Sequence, residues 1–271
     1  MFNLHPQTLF CHIYTKISAF FTCSNLLKAE IKVILPGVCI YNKIEELEQM
    51  DKVIAIDGPS ASGKSTLARN LSEALHIPYI NTGSMFRATA WAALKYNIAL
   101  DDENALADML RNLTMEYRTN ADGEFELYCG DTFPGEALRS TEIAAAASKV
   151  GTLPAVRSEL KRMQQTMSRI GWIVMEGRDI GTVIFPEAQF KFFITASPLE
   201  RARRRLAQEG DKAGGSLEEV AAAIAARDLQ DSTRATAPLK PAEDAELVDN
   251  SNMTYEETFN YIYNKVKDAV L

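Results

Sequence analysis

The sequence predicts an α/β fold with a mainly parallel sheet flanked by helices, and three observations predict it. Short apolar runs alternate with helix-period segments from residue 50 to the end. The first of those runs leads straight into a glycine-rich turn and a helix. Hydrophobic residues make up 46% of the 271, ample for the core of one large domain or two modest ones, so intrinsic disorder is not expected.

Taken in order, 53–56 (Val-Ile-Ala-Ile) reads as a buried strand, 65–75 as a helix, 78–80 as a short strand and 85–96 as a helix rich in Ala, Trp and Leu. Apolar spacing marks another helix over 105–113. The period then changes: 113–119 and 124–129 flank the turn Asn120-Ala121-Asp122-Gly123, which predicts an antiparallel pair forming a small inserted β unit. Helices return over 142–150 and 156–170, strands follow at 172–175 and 190–194, and 199–208 is a basic helix. Gly210 and the Gly214-Gly215 pair break the chain before a helix over 217–228. A strand near 245–249 and a helix over 255–270 close the fold, and no internal repeat is present.

The first 49 residues differ from the rest. They hold three of the four cysteines (Cys11, Cys23, Cys39), two of the three histidines (His5, His12) and no net charge. The apolar stretch at 17–27 is interrupted by Ser, Thr and Asn and lacks the cleavage site of a secretory signal. The segment reads as an appendage, and either it is a real arm or natural translation starts at Met50, leaving a domain of residues 50–271. With Cys129 the lone cysteine beyond it and no metal-ligand spacing, cysteine usage fits a reducing compartment, so the expected location is the cytoplasm. No stretch approaches the roughly 18 apolar residues of a membrane span. A net charge of −7 disfavours nucleic acid as a partner, while local arginines can still bind small anions.

The strongest chemical signal is Gly58-Pro59-Ser60-Ala61-Ser62-Gly63-Lys64-Ser65, which fits G-x-x-x-x-G-K-[ST] between a predicted strand and a predicted helix. Such a loop wraps backbone N–H groups around phosphates, with Lys64 neutralising the β and γ oxygens, Ser65 offering its hydroxyl to Mg²⁺ and the helix N-terminus adding its positive dipole end. Thr66 completes the ATP-binding stretch. A second signal, Asn81-Thr82-Gly83-Ser84-Met85-Phe86-Arg87, ends the second strand, where Arg87 is either a phosphate grip or a solvated surface residue. A third, Glu176-Gly177-Arg178-Asp179-Ile180-Gly181-Thr182-Val183, places two carboxylates and an arginine at the carboxyl end of a strand, where open α/β sheets bind ligands. No guanine-reading N-K-x-D of a GTPase occurs.

With these runs in order, and with Arg227-Asp228-x-x-Asp231-Ser232-x-Arg234 followed by Ala237-Pro238-Leu239, the sequence from Met50 to Leu271 resembles the nucleoside monophosphate kinases, and among them the bacterial cytidylate kinases. The resemblance implies a P-loop kinase fold that passes a phosphoryl group from ATP to CMP or dCMP with Mg²⁺. It places Thr82, Ser148, Arg157, Asp179 and Arg234 around the cytosine, Arg87 and Arg178 on the acceptor phosphate, and Asp231 with Arg227 on the ribose. Lys64, Arg87 and Arg178 become the catalytic set, and Glu176 with Asp179 flanks the phosphate and magnesium region, Glu176 reaching the metal through water. Thr82 stands where some members have Ser, and Gln230 where some have Arg, which removes no named contact.

The chemistry of the base agrees with this set. Cytosine presents an amino donor and two acceptors, which a carboxylate or hydroxyl and arginine donors answer, and uracil reverses two of those features. The acceptor is already a phosphate oxygen, so no tuned general base is expected. A monomer is expected, with a monophosphate-binding insertion over about 82–148 and a lid over about 203–216. The inserted β unit is either a passive flap or a cover for the monophosphate, as the resemblance favours. Arg201, Arg203, Arg204 and Arg205 form either a solvated face or the base of the lid, with Arg204 the candidate for ATP. A kinase for another small acceptor would lack the arginine-rich base set, and a nucleotide sensor would bind without forming ADP.

Overall fold

The structure is a computed structural model, and it describes residues 51–120, 125–210 and 215–271. Of the two units into which the chain divides, Met1–Glu45 and Glu46–Leu271, it therefore describes the second. The expected appendage, the start at Met50, most of the 120–123 turn and residues 211–214 of the expected lid lie outside the described residues.

Five parallel strands form the central sheet: β1 (Asp51–Asp57), β2 (Tyr79–Asn81), β5 (Ile173–Gly177), β6 (Ala188–Thr195) and β7 (Glu246–Asp249), in the order β2-β5-β1-β6-β7. β1 is central because Val53 to Ile56 carry no polar side chain, and all four are fully buried. Val53 and Ala55 join the core on one face and Ile54 and Ile56 the core on the other, as a strand covered on both sides requires. Helices α1 (Lys64–Leu75) and α8 (Tyr255–Val270) cover one face through Leu67, Leu71, Ile262 and Val266. The other face packs α2 (Thr82–Lys95), α3 (Glu103–Asn112), α4 (Thr141–Val150) and α5 (Pro154–Met167) through Met85, Leu106, Leu110, Val150 and Leu160. Burial of these side chains contributes about 1.5–3 kcal/mol each against the cost of ordering the chain.

The predicted antiparallel pair is present as β3 (Met115–Thr119) and β4 (Phe125–Cys129). Met115, Leu127 and Cys129 turn into the core beside α2, and the Tyr117 hydroxyl donates to the carbonyl of Asn81 at 2.7 Å. The unit is thus bonded to the chain segment that opens α2.

Two differences from the sequence reading bear on the site. Helix α7 (Leu217–Thr233), expected to stop at 228, runs on because the segment after Asp228 holds no glycine or proline until Pro238. Asp231 therefore sits on its last turn, 6% exposed and facing inward rather than at the surface. After β5 the chain forms a π-helical turn over Ile180–Ile184, which nothing local announces.

Register sets the strand ends level. Ile56 pairs with Glu176, Asp57 with Gly177 and Asn81 with Glu176, so the loops leaving β1, β5 and β2 emerge side by side. Those are the three loops that carry the sequence motifs.

Candidate active site

Beyond these strand ends lies a cleft of about 1070 Å³. It is lined by eight cationic side chains, Lys64 and seven arginines, against four carboxylates, a local excess of positive charge in a chain of net −7. Ser60 to Thr66, Thr82, Arg87, Ser148, Arg157, Glu176, Arg178, Asp179, Arg227, Asp231 and Arg234 all line it. Gly58 and Pro59 do not, and they shape the loop instead. Gly58 has φ +143° and a Cβ there would lie 2.0 Å from the carbonyl oxygen of Ile194, so only glycine lets the loop leave β1 against β6.

At one end of the cleft the loop enters α1 through Gly63, and α1 has neither a side-chain cap nor an acidic residue in its first turn. Helices α2, α3, α4, α7 and α8, by contrast, are capped by Asn81, Asp102, Ser140, Ser216 and Thr254. The orphan N–H groups of α1 are left for an anion. Lys64 is 4% exposed and its ammonium donates to the carbonyl of Pro59 at 2.6 Å. Burial, reinforced by the Arg178 charge, pulls its pKa down to about 7, against the pull of Glu176 and Asp57.

At the other end, α5, the β5 loop and α7 bring arginines and carboxylates together. The Asp179 carboxylate is paired with Arg157, the two side chains 8% and 9% exposed, and stands 3.8 Å from Arg234 Nη2. Arg157 also donates to the carbonyl of Gly151 at 3.0 Å and lies over the Phe86 ring. Asp231 accepts from Arg178 Nε at 3.1 Å and faces Arg227 and Arg234 at 3.6 and 3.9 Å. Burial lowers the pKa of Arg234, whose Nη2 is a buried donor with no hydrogen-bond partner. Between the two ends lie Arg178 and Arg87, the latter's pKa lowered by burial and supported by Glu176.

Thr82 and Glu176 are more constrained than the motifs suggest. The Thr82 hydroxyl donates to the main-chain carbonyl of Glu176 at 2.8 Å, so toward a ligand it can only accept. The Glu176 carboxylate accepts from the Tyr79 hydroxyl at 2.8 Å. For a hard cation that prefers oxygen, the Ser65 hydroxyl and Glu176 are the fitting groups in the cleft. Among the described residues no cluster of three or more His, Cys, Asp or Glu forms a cage. That donor set suits Mg²⁺ carried with a polyphosphate rather than held by protein alone.

Three residues beside the motifs complete the site, two of them named in the basic run and one, Asp57, not singled out by the sequence. Arg201, on α6 (Pro198–Glu209), is 3% exposed, so it is no part of a solvated face. It donates to the carbonyls of Ala196 at 2.9 Å and Ser60 at 3.1 Å and pairs with Asp228 of α7 at 2.6 Å. Arg204 lines the cleft beside the loop, held by Asn250 through the side chain at 2.9 Å and the carbonyl at 2.8 Å, and Asn250 donates to Ser62 O. Asp57 ends β1 with its carboxylate accepting from the Ile180 and Gly181 amides at 2.8 and 2.7 Å, and burial pushes its pKa up to about 7 against those two bonds. Its position directly before the first loop glycine was the available signal.

A family model described as cytidylate kinase matches residues 54–268, the whole span that builds this cleft. The chain belongs to the cytidylate kinase family. A cytidylate kinase of Pasteurella multocida is 44% identical over 207 residues, which cover 76% of this chain and 90% of that one. One of Pelotomaculum thermopropionicum is 42% identical over 216 residues, covering 79% and 95%. A crystal structure of an uncharacterized protein from Eubacterium ventriosum superposes with a TM-score of 0.40 at 13% identity, covering 80% of this chain and 98% of that one. Among the described residues no helix is long and apolar enough to cross a membrane.

Proposed function

We propose that this chain transfers the γ-phosphoryl group of ATP to CMP or dCMP, giving CDP or dCDP and ADP. The observation that carries the reading is one cleft with an uncapped phosphate loop at one end and, at the other, two buried carboxylates clasped by arginines. Ser60 to Thr66 hold the ATP phosphates on the loop that Gly58 and Pro59 shape, Lys64 leaving the Pro59 carbonyl to meet the β and γ oxygens. Their negative charge restores its proton, since opposite charge favours the ammonium. Arg87 and Arg178 hold the acceptor phosphate, and Asp231 with Arg227 takes the ribose hydroxyls.

Thr82, Ser148, Arg157, Asp179 and Arg234 surround the base. The unpartnered Arg234 Nη2 suits a cytosine acceptor, while Asp179 and the Thr82 hydroxyl supply the acceptors its amino group needs. Uracil would set a carbonyl against Asp179 and lose those contacts.

Transfer then rests on alignment and charge. The acceptor phosphate oxygen attacks the γ phosphorus in line as the bond to the β-phosphate oxygen breaks, and Lys64, Arg87 and Arg178 offset the spreading charge. Ser65 and Glu176 would hold Mg²⁺ carried with the ATP phosphates, and that ion would supply further neutralisation. Closure of the β3–β4 unit over the acceptor, with Arg204 of α6 toward ATP, excludes water. We further propose a monomer located in the cytoplasm, the compartment that the cysteine usage fits. A coupled assay of purified protein with ATP, Mg²⁺ and each nucleoside monophosphate tests the reading. Fast ADP formation with CMP and dCMP is expected, and equal rates with UMP or GMP, or no ADP at all, would refute it.

A further inference from the structure

We propose that Asp57 is a positioning residue that holds the acceptor wall in register with the phosphate loop. It is the last residue of β1 and immediately precedes Gly58, yet it is 5% exposed and does not line the cleft, so it touches neither substrate. Each of its two carboxylate oxygens accepts a bond across the strand ends, Oδ1 from the Ile180 amide at 2.8 Å and Oδ2 from the Gly181 amide at 2.7 Å. Those amides open the π-helical turn and directly follow Arg178 and Asp179.

The geometry gives the carboxylate a specific task. Sheet pairing fixes Gly177 opposite Asp57, but Arg178 and Asp179 have left the ladder, and Asp179 has φ −147° and ψ 25°, neither strand nor helix. What returns the chain to the sheet is the pair of bonds to Asp57. They span only two residues beyond the arginine and the aspartate whose directions set the acceptor phosphate and the base. A carboxylate is suited to this place because it accepts at both oxygens, whereas an amide of the same shape presents N–H to one of the two N–H groups. Misplacement of reacting groups by about 1 Å costs on the order of 10²-fold in rate.

The inference rests on the proposed CMP phosphorylation, and its test separates the two. In Asp57→Asn, folded by circular dichroism, kcat with CMP is expected to fall on the order of 10²-fold while KM for ATP stays within about threefold, and the amides of residues 180 and 181 to exchange faster than in the parent. A kcat within about threefold of the parent, or ATP affinity falling as far as kcat, would overturn it. If Asp57→Asn does not fold, Asp57→Ser, which keeps one acceptor in less volume, is judged by the same criteria. Amide exchange in the parent protein decides independently of activity: Ile180 and Gly181 protected like the sheet supports the latch, and exchange at the rate of an open loop overturns it. Failure of the parent to phosphorylate CMP would sink the substrate reading and leave the exchange result standing.

Discussion

Replacing Asp179 by Asn keeps the shape of the side chain and removes its charge from between two arginines. Asp179 and Arg157 are 8% and 9% exposed, and Arg234 Nη2 stands 3.8 Å away. Removing one partner of a buried pair costs about 3–5 kcal/mol, because the charge left behind has lost its compensation. The Asn carbonyl keeps one acceptor for Arg157, so the lower end, about 3 kcal/mol, is expected. At 2–4 °C per kcal/mol for a unit of this size, the free protein should melt about 6–12 °C lower. On the proposed reading, in which Asp179 faces the base, kcat/KM for CMP should fall by about 10²-fold while KM for ATP stays within about threefold. Thermal unfolding followed by circular dichroism and steady-state kinetics read the three quantities. A melting point within 2 °C of the parent's together with kcat/KM for CMP within threefold would refute the reasoning.

Three further outcomes are expected. Lys64→Ala should lose about 10²-fold to 10³-fold in kcat without a lower melting point, because the substitution also removes a desolvated ammonium; near-parent turnover would refute its role. With a pKa of about 7 in the free protein, Lys64 is mostly neutral at pH 8, so ATP binding, which raises that pKa, should take up close to one proton at pH 8 and progressively less toward pH 6. Calorimetry in buffers of different ionisation enthalpy measures this, and uptake that does not change with pH or persists in Lys64→Ala would contradict it. Gly58→Ala sets a methyl 2.0 Å from a main-chain oxygen that cannot rotate away, so a loss of about 3 kcal/mol or more is expected in thermal unfolding, and a stability within 1 kcal/mol of the parent's would contradict the close packing of β1 on β6.

The regular elements were legible because their causes are local. Val53 to Ile56 announce a buried strand by composition alone, and the glycines and Lys64 announce the loop by spacing. The helix at Glu103–Asn112 was announced by its apolar spacing. What remained hidden depends on contacts distant in the chain. Asp57 finds its amide partners 123 and 124 residues away, and Arg201 finds Ser60 across 141. The second case turned an apparent basic surface into a buried link between the loop and α7. The turn at Ile180–Ile184, rich in β-branched residues, carries no helix-period signal and forms where Asp57 receives it. Most residues that line the cleft were named by motif, and Ser148 and Arg157 by the family resemblance alone, but their partners were not legible: the Thr82 hydroxyl spends its proton on Glu176, and Glu176 is held by Tyr79.

A crystal structure with ADP and CMP bound together tests most directly that one cleft aligns donor and acceptor. The expected result has the ADP phosphates on the amides at Gly63 to Thr66, the CMP phosphate between Arg87 and Arg178, and the base against Asp179 and Arg234. CMP lodged away from the Arg87 and Arg178 pair, or its phosphate turned from the donor loop, would contradict the account.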